Sequence, residues 1–557
     1  MKETREPWKL YEAGRAYNNR LVPNQYTLVE TNTEFLAGNQ WLHLPDTPAM
    51  RDLPKPTFNI LKRVASLFIA SLTSSAIAIR YEPLTVYGKS GTDQRAVDMA
   101  NAAVKDLLEQ LHFDYRVRQA LFDGARSGDY CAHFYFDPTA RPYGGALGEE
   151  LGEIRMELVE GTSVMFGDPG SSEVERQPYI LLVGRDTVAH LKEEQALWGG
   201  SGEIRADSDT GEMTGIGGKT ELGVEEETGK ALYIYLYHKK KVTRRSADGM
   251  EREAEEVFIT KATKDAVIYE DIATGLDRYP IAWGNWEKQK NQYHGRALVT
   301  GLVPNQIFIN SMFATAMRHL QLMAFPKTVY NADMIAGWSN EVGQAIGVHG
   351  LQPGQSVNQV AYNLPAAEMS NQIFSLIDKA MTYTKECLGA TDAQLGTAKA
   401  ENTSALIVLQ TNAQVPLENI RAGLYEWVED IGRILLDMMG TYYGERHVAV
   451  EREFTEPIYD AAHRVALNEQ GLMATSTKKH TVAERFDFGC FKDLWLRVGC
   501  DVGESTYFSE ITMTQTLDNL RREGVLDLVQ YLERVPEKLV PRKQELIEEL
   551  KRKGGSV

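Results

Sequence analysis

The sequence predicts an α+β protein that is mainly helical, with smaller β-containing regions. Three observations lead to this prediction. Apolar residues recur at helical spacing near the start of the chain and again over residues 295–443. Runs rich in β-branched and aromatic residues fall between them, over residues 129–271, and return over residues 447–502. With 557 residues the chain is also too long for one hydrophobic core, so several sub-domains are expected.

The N-terminal part carries the first helical patterns. Residues 1–45 read as helical, whereas the prolines of residues 46–57 predict extended chain or loop. Apolar residues then follow helical spacing over residues 58–73, as in a buried amphipathic helix. Two further helices are predicted over residues 93–111 and 115–127.

Short β-type runs replace the helical pattern after residue 128. They occupy residues 129–137, 154–160, 179–185, 231–242, 255–262 and 266–271. Between the third and fourth runs lie residues 196–230, which are rich in Gly, Ser, Thr and acidic residues. This segment is predicted to be a mobile surface insertion.

Helical character returns at residue 295. The segment 295–323 contains Pro304, which fits the first turn of a sustained helix. Residues 324–365 are mixed and Gly-rich, which predicts a small β-containing module between two helices. The helical pattern resumes over residues 366–388.

The stretch GATDAQLGTAKAEN, residues 389–402, is small, polar and punctuated by glycine. Gly389 and Gly396 supply backbone freedom, which predicts a mobile loop. A very long helix is predicted over residues 403–443, with a kink at Pro416 because a mid-helix proline removes one backbone hydrogen bond.

Strand-like runs return at residues 447–454 and 493–502. Residues 509–553 of the C-terminal part are predicted to be helical.

The composition excludes some functions. Charged residues are 25% and hydrophobic residues 43%, as in ordinary soluble folded proteins. The net charge of −17 argues against a tight grip on nucleic acid, although it allows a surface past which DNA slides. No apolar run reaches the length of a membrane span and the N-terminus has no secretory signal, so no membrane association is expected.

No metal or cofactor site is expected either. The four cysteines are scattered, with no CxxC pair and no histidine at ligand spacing. The segment GIGGKT, residues 215–220, lacks the first glycine of a phosphate loop because Met213 stands there, and no strand precedes it. We expect no enzymatic activity.

The one strong basic cluster is HKKKVTRR, residues 238–245. It is either a contact for nucleic acid or an acidic partner, or a charged hairpin tip that balances the nearby acidic insertion. The second interpretation is favoured, because no aromatic residue is interleaved and the chain is acidic. His238 is expected on a solvated strand end.

The order of segments resembles that of the tailed-bacteriophage portal proteins, the head-to-tail connector family. GRALVTGLVPNQIFINSMFATAMRH resembles the first stem helix of that family, and AEMSNQIFSLIDKAMTYTKECLG resembles the second. FPKTVYN and QSVNQVAYNLP lie between them, where the family places its clip. GATDAQLGTAKAENTSALIVLQ then lies where portals place the tunnel loop and the start of a kinked helix.

The resemblance implies a division of the chain into the family's regions. These are the wing (1–294, with return strands at 444–503), the first stem helix (295–323), the clip (324–365), the second stem helix (366–388), the tunnel loop (389–402), the kinked tunnel helix (403–443) and the crown (504–557).

The resemblance also implies a function. Portal proteins form a ring-shaped homo-oligomer, a dodecamer in the virion, whose channel at one capsid vertex passes double-stranded DNA during packaging and ejection. The implied partners are copies of the chain, the DNA, the terminase large subunit, the major capsid protein, and scaffold and head-completion or tail adaptor proteins. The implied location is the virion, after assembly in the host cytoplasm, and no cofactor is implied.

Site residues follow from the same resemblance. The channel-lining residues are expected in the tunnel loop: Thr391, Asp392, Gln394, Leu395, Thr397, Lys399 and Glu401. The hinge and kink positions are expected at Gly389, Gly396 and Pro416. The docking surface of the clip is expected to include Lys327, Trp338, Gln352 and Gln355.

Two alternatives stay open. The first is a different head–tail adaptor ring, although such proteins are generally much shorter. The second is a packaging-associated nuclease or ATPase, which would need a metal–carboxylate cluster or an intact phosphate loop.

Overall fold

The computed structural model describes the following residues: 6–42, 53–74, 77–83, 94–142, 150–207, 229–245, 251–324, 328–335, 337, 346–354, 356, 360–363, 372–387, 417–457, 475–492, 494, 496–502, 517, 521, 528–535 and 543. The chain divides into two compact units. Unit 1 comprises Met1–Val29, Ala65–Leu298 and Lys399–Val557, and unit 2 comprises Glu30–Val64 and Val299–Ala398.

The described residues form ten α-helices. They are α1 (Pro7–Arg20), α2 (Gln25–Ala37), α3 (Ile60–Leu72), α4 (Gln94–Gln110), α5 (Phe113–Ser127), α6 (Val188–Trp198), α7 (Val303–Ala324), α8 (Gln372–Cys387), α9 (Glu418–Tyr442) and α10 (Leu528–Arg534). None of these helices combines the length and the apolar character that a membrane span requires.

The strands alternate with the helices along the chain. They are β1 (Ile77–Pro83), β2 (Asp129–Asp137), β3 (Glu153–Val159), β4 (Val164–Phe166), β5 (Ile180–Thr187), β6 (Ser201–Gly202), β7 (Lys230–Arg245), β8 (Glu251–Ala262), β9 (Ala266–Ala273), β10 (Ile281–Asn285), β11 (Thr328–Tyr330), β12 (Ala361–Asn363), β13 (Glu445–Pro457), β14 (Thr475–Asp487) and β15 (Leu496–Val502).

The largest sheet of unit 1 has six antiparallel strands in the order β4-β5-β7-β8-β9-β6. Its central strand β7 alternates aliphatic and aromatic residues, and successive side chains of a strand point to opposite faces. One face packs into a core cluster made of Leu232, Ile234, Leu236, Tyr11, Met165, Leu181 and Val183. The other face carries the tyrosines of LYIYLYH, so both faces of the strand are used.

A buried lysine lies among these tyrosines. Lys261 of β8 is 3% exposed, and its ammonium group is 4.6 Å from the ring centre of Tyr233 and 5.0 Å from that of Tyr235. The same Nζ is 2.5 Å from a carboxylate oxygen of Glu194 in α6. A buried charge needs compensation of this kind, and here the carboxylate and the two ring faces supply it.

A second sheet of unit 1 has the order β10-β2-β3 and is antiparallel throughout. Strand β2 is almost entirely buried, which fits its apolar run YCAHF. Helix α5 packs on it and ends at Gly128, whose φ of +93° is unfavourable for other residues. A Cβ at Gly128 would lie 2.4 Å from the carbonyl oxygen of Gly295, so this turn requires glycine.

Helix α9 packs against four strands of unit 1: β10, β15, β1 and β2. Trp427 is 1% exposed, donates a hydrogen bond from Nε1 to the Ala282 carbonyl at 3.1 Å, and meets the Tyr130 ring edge-on at 5.2 Å. One turn later Gly432 lets the β1–β15 pair approach the helix closely, because a Cβ there would lie 2.6 Å from a methyl group of Val498.

Strand β1 is fixed by hydrogen bonds on two sides. The Tyr81 hydroxyl donates to the Gly432 carbonyl at 2.8 Å. The Tyr81 backbone N–H donates to Asn101 Oδ1 at 2.8 Å, and Asn101 Nδ2 donates to the Tyr81 carbonyl at 3.0 Å. The side-chain amide of Asn101 in α4 therefore pairs with the backbone N–H and carbonyl of Tyr81 at the free edge of β1, where another strand could otherwise bond.

The C-terminal half of α9 is held by an acidic residue. Asp437 accepts hydrogen bonds from the backbone N–H groups of Asp277 at 2.8 Å and Arg278 at 3.1 Å, and it forms an ion pair with Lys492. The Tyr442 hydroxyl donates to the Thr274 carbonyl at 2.8 Å. These bonds fix the helix to the turn that precedes β10.

Several sequence predictions agree with the structure within a few residues. The helices expected at 93–111 and 115–127 are α4 and α5, and the six β-type runs correspond to β2, β3, β5, β7, β8 and β9. The sustained helix near Pro304 begins at Val303. The tunnel helix predicted over 403–443 is described only from residue 417, so the kink at Pro416 lies outside the described residues.

Other predictions need correction. The insertion expected at 196–230 is narrower, because α6 continues to Trp198, β6 occupies 201–202 and β7 begins at Lys230. Residues 208–228 lie outside the described ranges. The six-stranded sheet makes the β part larger than expected, and strands β1, β10 and β14 were not anticipated.

Replacing Gly432 by Ala tests the close approach of α9 to the β1–β15 pair. The added methyl would overlap Val498 and Ile79, so we expect a loss of about 1–3 kcal/mol, measured as a lower midpoint of thermal unfolding by circular dichroism. Gly423→Ala in the same helix is the matched control, because nothing lies within 4 Å of its Cβ position; it should be neutral or stabilising by up to about 1 kcal/mol. Equal midpoints for the two variants would contradict this account.

Candidate functional site

Most of the predicted site residues lie outside the described ranges. This applies to all seven tunnel-loop residues, to Gly389, Gly396 and Pro416, and to Lys327, Trp338 and Gln355 of the clip. Gln352 is described and exposed, in the segment 346–354. The described elements that flank the predicted loop and clip are α7, β11, β12 and α8 in unit 2 and, considered separately, α9 in unit 1.

Helix α7 starts with Pro304 in its first turn, where the missing N–H costs no intrahelical bond. Its buried residues among those described are Gln306, Ile309, Asn310, Ala314 and Ala316. Two of these five are amides, which is unusual on the buried face of a helix and requires hydrogen-bond partners.

The partners form a continuous network of neutral amides inside unit 2. Gln306 donates from Nε2 to the Phe58 carbonyl at 2.6 Å and to Asn310 Oδ1 at 2.9 Å, and its Oε1 accepts from the Ile60 N–H at 3.2 Å. Asn310 Nδ2 donates to Gln40 Oε1 at 2.6 Å. Each of the three amide side chains is 1% exposed, so the network joins α7 to the segments around residues 40 and 58–60.

Helix α8 packs on α7 through one narrow stripe. Ile377 and Thr384, two turns apart, are its buried residues within the described part. The Thr384 hydroxyl donates to the Ala380 carbonyl at 2.7 Å, which satisfies it within the helix.

The remaining surface of unit 2 exposes many large apolar side chains. We call these the apolar set of unit 2: Phe308, Met317, Leu320, Val329, Leu351, Tyr362, Phe374, Leu376 and Tyr383. Their exposed fractions run from 37% for Leu351 to 61% for Tyr362. Such a concentration on two helices and a strand pair is typical of a surface that another polypeptide covers.

The segment predicted as the clip contains a short antiparallel pair. Strand β11 pairs with β12 through Thr328–Asn363, Val329–Tyr362 and Tyr330–Ala361. The Asn331 N–H continues the ladder to the Val360 carbonyl at 2.8 Å. The expected β-containing module between two helices is thus present, while its docking role stays a prediction.

The basic cluster 238–245 lies on β7, paired with β8 as a hairpin. Its cations are neutralised: Lys239 lies 2.6 Å from Glu175, Lys240 contacts Asp271, and Arg244 lies 3.2 Å from Glu256 and 2.5 Å from Asp277. The acids that balance these cations come from neighbouring strands and turns. The predicted balance by the acidic insertion stays a prediction, because residues 208–228 lie outside the described ranges. His238 is a correction, because it is buried and its Nε2 lies 3.0 Å from Asp271 Oδ1.

Unit 1 contains a buried histidine–carboxylate pair whose geometry alone resembles an acid–base dyad. His294 Nδ1 lies 2.6 Å from Asp129 Oδ2, with exposed fractions of 2% and 0% for the two side chains. The other oxygen of Asp129 accepts from Asn285 Nδ2 and from the Gly295 N–H, each at 2.7 Å. Both side chains are enclosed and the carboxylate has three hydrogen-bond partners, so the pair joins chain segments that are distant in the sequence.

A second pair lies on the β2–β3 sheet. His133 Nδ1 is 2.7 Å from Glu157 Oε1, and its Nε2 is 2.8 Å from the Tyr237 hydroxyl. Burial alone would raise the pKa of Glu157, but the hydrogen bond and charge of His133, with Arg116 and Lys261 further away, bring that pKa below its ordinary value. The described residues contain no cluster of side chains suited to a metal ion.

Comparison with known families indicates similarity to a structural protein. The predicted resemblance to the portal proteins of tailed phages is confirmed, since the chain is similar to a portal family model. That model is described as the Phage P22-like portal protein, and it matches residues 203–451, somewhat less than half of the chain. The matched region contains α7, β11, β12, α8 and α9 in order. No curated protein matches the chain.

The match indicates the general class of protein that this chain resembles. It is similar to structural proteins of the phage virion that take part in genome packaging, and that family is not enzymatic.

The buried amides of α7 were not predicted from the sequence. A signal was nevertheless present. Gln306 and Asn310 are one turn apart and fall between Leu302 and Ala314 on the apolar face, where polar residues require a partner.

Replacing Gln306 by Ala should destabilise unit 2, because the Phe58 carbonyl, the Ile60 N–H and Asn310 all lose a partner in a buried site. We expect a loss of about 1–3 kcal/mol, read as a lower thermal midpoint and faster hydrogen exchange in residues 56–61. Thr315→Ala is the control on the same helix, because its exposed hydroxyl bonds only to Ser311 within the turn. Unchanged exchange at residues 56–61 in Gln306→Ala would show that the network does not hold this segment.

Proposed function

We propose that this chain forms the channel at one vertex of a tailed-phage capsid, as a ring of twelve copies through which double-stranded DNA enters during packaging and leaves during ejection. The observation that carries the proposal is the portal family match over residues 203–451, the region that holds α7, α8 and most of the apolar set of unit 2.

The apolar set supports assembly from copies of the chain. Apolar area removed from water contributes about 25 cal/mol per Å², so side chains such as Phe374 and Leu376, 43% and 47% exposed, favour contact with another subunit. The helical members of the apolar set lie on α7 and α8, which pack on each other, and one copy can present α7 to α8 of the next. Contacts of this heterologous kind close into rings when the rotation between copies divides the circle.

The charge distribution supports passage of DNA without tight binding. The chain carries a net charge of −17, and the basic hairpin 238–245 is paired with acidic residues of the same unit. Strong phosphate binding requires clusters of unpaired cations. A channel wall along which DNA slides should therefore carry few such clusters. In the tunnel loop, residues 389–402, Lys399 is the only basic residue, and Asp392 and Glu401 are acidic.

The partners in this proposal follow from the portal resemblance. The terminase large subunit docks on the clip, residues 324–365, through a surface that includes Lys327, Trp338, Gln352 and Gln355, and head-completion or tail adaptor proteins replace it after packaging. The major capsid protein and the scaffold surround the ring. The protein is assembled in the host cytoplasm, resides in the virion, and needs no cofactor.

Electron microscopy of the purified protein tests ring formation. We expect negative-stain top views with about twelve units around a central hole. Phe374→Ser combined with Leu376→Ser should reduce rings to monomers without unfolding the chain, because both side chains are already exposed. Thr382→Ser, at an exposed polar position of the same helix, is the control. Monomers of the wild-type chain, alone and with its scaffold partner, would contradict the proposal.

Deletion of Thr391–Ala398 tests the role of the tunnel loop. Rings should still form, because the apolar set is untouched, while the yield of particles with retained full-length genomes should fall at least about tenfold. The measurement is the DNA content of purified particles produced by complementation. Normal yields of full-length genomes would show that the loop is not needed for packaging or retention, and they would not contradict ring formation.

A further inference from the structure

Strand β1 of unit 1 has one side that no other strand covers among the described residues. It pairs on its other side with β15, in an unbroken antiparallel register. The N–H and carbonyl of Tyr81 both bond to the side chain of Asn101, so these two groups point away from β15. In an antiparallel strand the backbone groups of alternate residues point the same way. The N–H and carbonyl groups of Ile77 and Ile79 therefore also point away from β15.

These four backbone groups, which we call the free side of β1, have no hydrogen-bond partner among the residues that the structure describes. Asn101 acts as a strand residue toward Tyr81, because its amide both donates and accepts. One and two turns later on α4 stand Lys105 and Leu108, whose side chains cannot do both. Ile77 and Ile79 are only 8% and 6% exposed, and the backbone groups of such enclosed residues normally have partners. The free side of β1 is therefore suited to receive one.

A groove of about 430 Å³ lies along the free side of β1. One wall is formed by residues 77–79 of β1, and the other by the end of α4 and the first turn of α5, residues 112–115. A peptide that adds to a sheet edge bonds through its backbone. Only an extended polypeptide offers N–H and carbonyl groups at the spacing of alternate strand residues, about 7 Å. The backbone geometry thus specifies an extended segment as the occupant.

The apolar residues of the groove favour an aliphatic side chain in that segment. Leu108 of α4 and Phe113 of α5 line the groove beside Ile77 and Ile79. Tyr115 also lines it and is 62% exposed, so an aromatic ring is available at the surface. An extended segment places alternate side chains on one face, where they can meet these residues.

The charged residues of the groove favour a basic side chain. Glu109, Asp114 and Lys105 line it, all three are exposed, and none forms an ion pair with a residue that the structure describes. The charge of Glu109 also acts on its neighbour Asp106, whose pKa is raised by burial first and then by Glu109, while Lys105 lowers it. Two carboxylates against one ammonium group leave an excess of negative charge, which is complementary to lysine or arginine.

We propose that the free side of β1 binds a short extended segment of another polypeptide, which adds to the sheet as a strand antiparallel to β1. Directly opposed residues of such a pair share one face of the sheet and can exchange both backbone hydrogen bonds. Aliphatic residues opposite Ile77 and Ile79 therefore face Leu108 and Phe113, and a flanking basic residue reaches the carboxylates of the groove. Backbone bonds supply the affinity, and the side chains supply the selectivity.

A synthetic peptide tests the proposal. It has seven residues, with valine at the three even positions, threonine between them, lysine at each end and a fluorescent label. Fluorescence anisotropy with the full-length protein should show saturable binding. N-methylation of the valine nitrogens should weaken the affinity at least about tenfold, because it removes the donors that face β1, whereas N-methylation of the threonine nitrogens should change it less than about threefold. Glutamate in place of both lysines should weaken it at least about tenfold.

Two variants of α4 test the charge of the groove. Glu109→Gln should weaken the affinity for the lysine peptide about threefold, because an exposed ion pair contributes little. Asp98→Asn is the matched control. It also removes one negative charge from an exposed position of α4, but Asp98 does not line the groove, so the affinity should stay unchanged.

Hydrogen exchange shows where the peptide binds. Bound peptide should slow exchange at the amides of Ile77 and Ile79 at least about tenfold, whereas Ala78 and Arg80, whose N–H groups point toward β15, should change less than about twofold. Three results would overturn the proposal: no saturable binding, equal weakening by the two methylated peptides, or exchange at Ile77 and Ile79 as slow as at Ala78 without peptide. The last result would show that this chain or a second copy already covers β1. None of these measurements requires a channel, so they are independent of the proposed function.

Discussion

The burial of helix α9 is the interaction on which the rest of unit 1 depends. The helix contributes Trp427 to the space above β10, admits the β1–β15 pair at Gly432 and anchors the turn before β10 through Asp437. Each contact joins α9 to chain segments more than 60 residues away in sequence. Because all of them act on one rigid helix, the two small sheets and the turn are fixed relative to each other.

The two units differ in the kind of polar side chain that joins their buried segments. Unit 1 buries ionisable side chains in pairs, as with Lys261 and Glu194 or Asp129 and His294. Unit 2 joins its segments with neutral amides. In neither unit do the described polar clusters combine exposure with an unpaired nucleophile or a set of metal ligands, which agrees with the structural role that the portal family match indicates.

The sequence allowed much of the fold to be predicted, and the reasons are physical. Long amphipathic patterns such as residues 93–127 specify helices by their own periodicity, and alternation along LYIYLYH specifies a strand. Strand β1 was missed because it pairs with β15, far away in the chain, and local patterns do not reveal such a partner. Strand β14 pairs with the preceding strand β13, but its sequence TSTKKHTVAERFD has few apolar residues to indicate a strand. His238 was misplaced for a similar reason, since its burial depends on β8 and β9. The predicted tunnel loop lies outside the described residues, and its role stays a prediction.

The amide network of unit 2 determines how the contact between α7 and its neighbouring segments responds to salt. Attraction between exposed ions weakens as dissolved salt increases, with a screening length of about 10 Å at 0.1 M and about 3 Å at 1 M. Gln306, Asn310 and Gln40 carry no net charge and are shielded from solvent. The joint between α7 and its supporting segments does not depend on attraction between ions, so it keeps its strength as the salt concentration rises, whereas exposed ion pairs would weaken.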